Sequence, residues 1–170
     1  MDSKITIREA TSEDYKLIAE VVCMAVGYDK SHRLYPVFLA LAQREHTQYS
    51  YRNTLVAEVD GRAVGALVGY DGALLEELRQ PIFELIERHL GSALTIEDET
   101  DGDEFYLDSL GVLPQYRGMG VASALLSAMR DMAFDRGFER VGLIVDVDNP
   151  TAERLYNALG FSYVGNKSFL

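Results

Sequence analysis

Two glycines, Gly118 and Gly120, stand in the run Gln115-Tyr116-Arg117-Gly118-Met119-Gly120-Val121-Ala122. Glycine leaves the backbone N–H groups uncovered. A helical period of apolar residues follows, so anionic oxygens could approach the positive end of a helix here. The run is a candidate phosphate cradle, and Arg117 would add a local cation. The same letters also suit a tight strand-to-helix turn with close packing and no ligand. A Walker loop requires Gly-Lys-Ser/Thr, whereas Met119 and Val121 follow the two glycines. A dinucleotide fingerprint requires Gly or Ala three positions after the second glycine, where Ser123 stands, and its acid is due about 20 residues on, short of Asp146. His32, His46 and His89 are scattered without ligand spacing, so no metal site is expected. Cys23 lies in an apolar stretch and reads as an inert buried thiol.

The elements around this loop follow from period and punctuation. Lys4 to Arg8 alternates as a strand. Thr11 then caps a helix with Asp14 in its first turn, and Leu17, Ile18, Val21, Val22 and Ala25 follow at helical spacing. A second helix begins near Pro36. From Thr54 to Tyr70 two strands are joined by Asp60-Gly61, a two-residue type I′ turn. Leu75 to Leu90 has a helical period that Pro81 should kink or split and Gly91 should end. Glu97 to Glu104 holds six acidic side chains and reads as a solvated loop, or as the rim of an amine site if it lies beside the chemistry. Phe105 to Val112 reads as a strand, Gly118 to Arg136 as a helix, and Val141 to Val147 as a strand covered on both faces. Asn149-Pro150 starts a further helix that ends at Gly160, and Phe161 to Val164 reads as a short final strand. Strand, helix, strand, helix requires a right-handed crossover and a parallel pair within a mixed sheet, an α/β (or α+β) class.

The 170 residues suit one domain, residues 1–170. With 48% hydrophobic and 25% charged side chains, the composition is that of a folded globule and excludes a disordered tail or a fibre. No apolar run approaches the roughly 18 residues of a membrane span. The first 25 residues carry charges throughout, so no secretory core is expected and the cytoplasm is the expected compartment. A net charge of −11 repels phosphate backbones, which argues against nucleic acid as a partner and suits a cationic one. An anionic ligand must then be held by local geometry against the global field.

The run Leu110 to Ala122 (LGVLPQYRGMGVA), followed by Asn149-Pro150-Thr151-Ala152 and Leu155-Tyr156-Asn157-Ala158-Leu159-Gly160-Phe161, closely resembles the GNAT superfamily of N-acetyltransferases. In that family Gln/Arg-x-x-Gly-x-Gly/Ala binds the pyrophosphate of acetyl-CoA, and Gln115, Gly118 and Gly120 occupy those positions. The resemblance covers Phe105 to Val164. Ile5 to Val22 looks like the family's first strand and helix, and no family motif falls between Gly72 and Asp103.

The resemblance implies a mixed central sheet flanked by helices, with a parallel strand pair splayed at the cofactor site. It implies acetyl-CoA as cosubstrate and a primary amine, on a small molecule or an exposed peptide, as acceptor. The backbone of Leu110 and Val112 would hold the pantetheine arm like an added strand. Amides from Arg117 through Gly118, Met119, Gly120 and Val121 to Ala122 would hold the pyrophosphate. Asn149 would contact the cofactor's amide region while also capping its helix. Tyr156 matches the family's usual general acid, although Ala152, Leu155, Tyr156 and Leu159 also form a core stripe. Asp108 is the first candidate base and Glu104 the second. For Asp108 the structural alternative is a carboxylate at a strand bulge binding backbone N–H groups. The amine would attack acetyl-CoA directly in a ternary complex. A non-catalytic acyl-CoA-binding module on the same fold is the alternative, and a homodimer is expected by family analogy alone.

Overall fold

A computed structural model describes residues 4–91, 98–145 and 149–165. Its centre is a five-stranded mixed sheet in the order β1-β2-β3-β4-β5. β1 (Ile5–Glu9), β2 (Thr54–Val59), β3 (Arg62–Asp71) and β4 (Phe105–Val112) run antiparallel to their neighbours, and β5 (Val141–Leu143) lies parallel to β4. The turn between β2 and β3 is the expected one: Asp60 and Gly61 have φ of 51° and 83°, the two positive angles of a type I′ hairpin.

Among the described residues six α-helices cover the two faces. α1 (Tyr15–Ala25), α2 (Tyr35–Gln43), α3 (Leu75–Leu78) and α4 (Gln80–Leu90) supply one layer, and α5 (Val121–Asp135) and α6 (Pro150–Ala158) the other. Ile18, Val22, Phe38 and Leu41 pack against Val68, Tyr70 and Tyr106 on the first face. Leu125, Leu126 and Met129 of α5 pack against Leu55, Leu67, Phe105 and Leu107 on the second. Gly111 brings α1 close to β4, since a Cβ there would stand 2.9 Å from Met24 Cε and 3.1 Å from Val21 Cγ1.

Local signals explain the helix boundaries. Thr11 and Asp14 form a reciprocal capping box at the entry to α1. The expected long helix is split into α3 and α4 before Pro81, which enters the first turn of α4, and Gly91 ends α4 in the left-handed region. The α5 helix begins at Val121 rather than Gly118, because Gly118 and Gly120 adopt φ of 77° and 89°. Two strand expectations are corrected. The strand expected over 141–147 is confined to Val141–Leu143, with Ile144 and Val145 outside it and 146–148 outside the described residues. Phe161 to Val164 is not a strand, since it pairs with no strand among the described residues, and Tyr163 and Val164 are 72% and 85% exposed. No helix among the described residues is long and apolar enough to cross a membrane.

The capping box is tied to the sheet by Arg8. Its guanidinium donates to both oxygens of Asp14 at 2.8 and 2.9 Å and to Glu58 at 2.6 Å. Burial pushes the Asp14 carboxyl up, but Arg8 and the Thr11 donors outweigh it and hold the group below its ordinary range. A lowered folded-state value contributes stability above the ordinary carboxylate pKa of about 3.9, lost as pH falls through the folded value. Asp14→Asn is therefore expected to cost about 1–2 kcal/mol at pH 7. The difference from wild type should close in urea unfolding series carried below about pH 3.9. A penalty that persists undiminished into strong acid would contradict the ionic origin.

Candidate active site

β4 carries the site because its two edges part company midway along. Phe105, Tyr106 and Leu107 pair with Val141, Gly142 and Leu143, and the parallel ladder ends there. On the other edge the register to β3 slips, Val68 facing Ser109 while Gly69 faces Leu107, so Asp108 is the extra residue of a β-bulge. Beyond the bulge, Leu113 N–H donates to Val64 C=O at 2.8 Å, so alternate residues 111 and 113 bond toward β3. Leu110 and Val112 consequently present their backbone groups to the edge that β5 has left.

The second component is the N-terminus of α5. Its first helical bond runs from Ala124 N–H to Gly120 C=O at 3.0 Å, and no side chain caps it. The amides of Val121, Ala122 and Ser123 are thus the unfilled donors of a helix start. A Cβ built on Gly118 or Gly120 meets nothing within 4 Å, so the loop opens into free space rather than into packing. Leu110, Gly111, Val112, Arg117, Ala122 and Met24 of α1 line a cavity of about 290 Å³. The glycine loop, the open strand edge and a helix start therefore meet in one cleft, fitted to an extended ligand with an anionic group.

Other sequence-predicted residues are placed less simply. Arg117 folds back, donating through Nε to Val112 C=O at 3.0 Å and reaching Met24 Sδ at 3.5 Å, and its amide turns to Pro114 C=O. Gln115 lies exposed in the one-turn helix Pro114–Tyr116, and Met119 is 38% exposed at the loop tip. Asn149 is the N-cap of α6, its Oδ1 accepting from Ala152 N–H at 3.1 Å. Tyr156 is half-buried on α6 against the same apolar cluster as Leu110 and Ala122, with its ring edge-on to Phe161. Burial pushes its phenol above the ordinary value. Asp146, weighed against a dinucleotide fingerprint, lies outside the described residues.

Asp108 does sit at a bulge, but side chains rather than backbone amides bind it. Tyr70 donates to its Oδ2 at 2.5 Å, Gln48 Nε2 donates to the same oxygen at 2.8 Å, and Ser109 Oγ donates to Oδ1 at 3.0 Å. Burial pushes the carboxyl up, and these three donors pull it back without cancelling the rise. Burial, then the Asp108 charge, drives the Tyr70 phenol far upward, and burial does the same for Tyr49 and Tyr106. Glu99, in the acidic stretch, accepts from Tyr106 at 2.8 Å. That stretch is more than a solvated loop: Asp98 pairs with Arg79 and Asp103 with Arg140. Glu104 lies apart, accepting from Thr100 at 2.9 Å with its carboxylate over Gly142. It precedes Asp108 by four positions, about 13 Å of extended chain.

Sequence reasoning missed Gln48, Tyr70, Tyr106 and Glu99. One signal was available. A tyrosine closing the aliphatic β3, and a carboxylate inside the apolar β4, each require a buried partner.

Comparison with known proteins agrees with this geometry. A model of the Acetyltransferase (GNAT) family matches residues 24–161. A crystal structure described as an acetyltransferase superposes with a TM-score of 0.77 at 33% identity, over 94% of this chain and 90% of that one. An N-acetyltransferase from Staphylococcus aureus Mu50 gives 0.76 at 25% identity, over 96% and 93%. An aminoglycoside N-acetyltransferase solved in complex with CoA shares the fold at 17% identity, with a TM-score of 0.67 over 100% and 95%. The chain belongs to the GNAT family of acetyltransferases, and is an acyltransferase enzyme.

The cradle yields a direct test. A side chain at Gly120 would meet open space at the uncapped start of α5, and its left-handed φ would cost a β-branched residue about 1–2 kcal/mol, small against a typical stability of about 5–15 kcal/mol. Gly120→Val is expected to stay folded and to lose CoA binding by roughly 100-fold or more in calorimetric titration, about 2.7 kcal/mol. A folded variant with undiminished binding would contradict the assignment.

Proposed function

We propose that residues 1–170 form one N-acetyltransferase domain that transfers the acetyl group of acetyl-CoA to a primary amine by direct attack in a ternary complex. The observation that supports this reading is the alignment of the open β4 edge between unfilled amides of α5 and the bulge at Asp108. Bound acetyl-CoA would supply an acetyl group already activated as a thioester. Every other contribution is the chain's own.

The amides of Val121 and Ala122 and the Gly118-Met119-Gly120 turn would bind the pyrophosphate. Gln115 borders that turn and follows the family pattern. Leu110 and Val112 would hold the pantetheine arm through their exposed backbone, with Arg117 steadying the Val112 carbonyl. Asn149 already uses Oδ1 as a cap, which leaves its amide nitrogen to contact the arm. Asp108 would accept the proton that an ammonium must lose before it attacks. Glu104 is the weaker candidate base, because its carboxylate is held at the far end of β4. Tyr156, kept protonated by burial, would donate a hydrogen bond to the departing thiolate. Full proton transfer is uphill from a phenol of pKa about 10 or more to a thiol of about 8.5, so stabilisation by the hydrogen bond is the larger part of its role.

The acceptor follows from charge. The chain carries −11 overall, and burial, the main influence on Asp108, is offset only by neutral donors. A cationic amine fits such a site. Release of free CoA thiol, followed with a panel of mono- and diamines and a lysine peptide, tests the reading. Asp108→Asn is expected to lose about 10²–10⁴ in kcat/KM, and Tyr156→Phe to lower kcat while CoA binding persists. Binding of acetyl-CoA with no turnover of any amine would favour the non-catalytic module.

A further inference from the structure

We infer that Tyr70 and Gln48 are positioning residues that keep the buried Asp108 carboxylate ionised and aimed, a role that rests on the reading of Asp108 as the base. They approach from two separate elements. Tyr70 stands near the end of β3, and Gln48 follows α2 in the connection toward β2. Both donate to one oxygen, Oδ2, and Gln48 also donates to Tyr70 Oη at 3.2 Å, so the three groups close a triangle. Tyr70 and Gln48 are 3% and 6% exposed, which fixes both donors by packing.

The division between the two oxygens has a chemical consequence. Oδ2 is filled by two donors, while among the described residues Oδ1 receives Ser109 alone and keeps acceptor capacity for the proton of an incoming amine. Tyr70 cannot compete for the proton that Asp108 takes, since burial and the neighbouring carboxylate hold its phenol protonated. It therefore acts as a permanent donor. The titratable groups around the network are Tyr49 from the segment after α2, Tyr70 from β3, Tyr106 from β4 and Glu99 from the acidic segment. All are acids. The ionised state of Asp108 is thus supported by hydrogen bonds from neutral groups, and removing one of them must favour the protonated form.

Tyr70→Phe removes the shortest of these bonds and keeps the ring, and Gln48→Leu removes the second from a different element. In carboxyl-13C titrations of the free protein, the Asp108 midpoint is expected to rise by about one pH unit in each variant. The acid limb of kcat/KM for CoA release should move up by the same interval. The rate below the midpoint then falls about tenfold, with the plateau at high pH largely kept. An unmoved midpoint in both folded variants would overturn the inference. Asp108→Asn separates this from the parent reading. Wild-type turnover in that variant, beside a shifted midpoint in Tyr70→Phe, would overturn the base assignment and leave the positioning of the carboxylate standing.

Discussion

The bulge at Asp108 is the constraint on which the site depends. A regular β4 would send residues 108 and 109 to opposite faces of the sheet. The inserted residue instead brings both side chains to one side, where Ser109 bonds the Asp108 carboxylate. The parallel ladder to β5 ends at the same point, Leu107 opposite Leu143. One irregularity thus coincides with a carboxylate on the α1–α2 face and an open backbone edge beyond it. The strand's first half is paired on both edges, and its second half is paired with β3 alone.

The N-terminus of α5 solves a problem set by the chain's charge. With 27 acidic against 16 basic side chains, long-range attraction for an anion is absent. Helix-start amides act only within the first turn, where they are strong and directional and the distant charges are screened. Gly120 at the N-cap matters for what it lacks, because a Ser or Asp there would occupy one of those donors. A glycine N-cap forgoes only about a few tenths of a kcal/mol relative to Ser or Asp. On the proposed reading, those free amides are also what would let the loop hold an anion. Arg117 takes a different part from the one its charge suggests, spending its guanidinium on Val112 and Met24 and so shaping the cleft wall.

Features governed by neighbours in sequence were legible in advance. The Asp60-Gly61 hairpin, the Thr11–Asp14 capping box and the break at Pro81 each depend on residues within a few positions, whereas the left-handed Gly118 and Gly120 moved the expected helix start to Val121. Strand ends were less legible, because a strand needs a partner. Val141 to Val147 is apolar enough to be buried throughout, yet among the described residues pairing stops at Leu143 where β4 bulges, and Phe161 to Val164 finds no ladder. The Asp108 network was invisible to spacing. Besides the adjacent Ser109, its donors Tyr70 and Gln48 lie 38 and 60 residues away, brought together by the β3–β4 pairing and the turn after α2. The acidic stretch was ambiguous for a related reason, since the bond from Tyr106 to Glu99 is a fact of tertiary structure.

The most direct measurement of the central claim, that the open β4 edge and the α5 amides form a CoA site, is the melting temperature of the wild-type protein with CoA, acetyl-CoA, NAD or no ligand. At about 100 times its dissociation constant a ligand adds roughly 2.7 kcal/mol, which for a chain of this size raises the melting temperature by about 5–10 °C. A rise of that order with the two CoA compounds and none with NAD is the predicted result. No rise with either CoA compound at saturation, or a rise with NAD alone, would contradict the account.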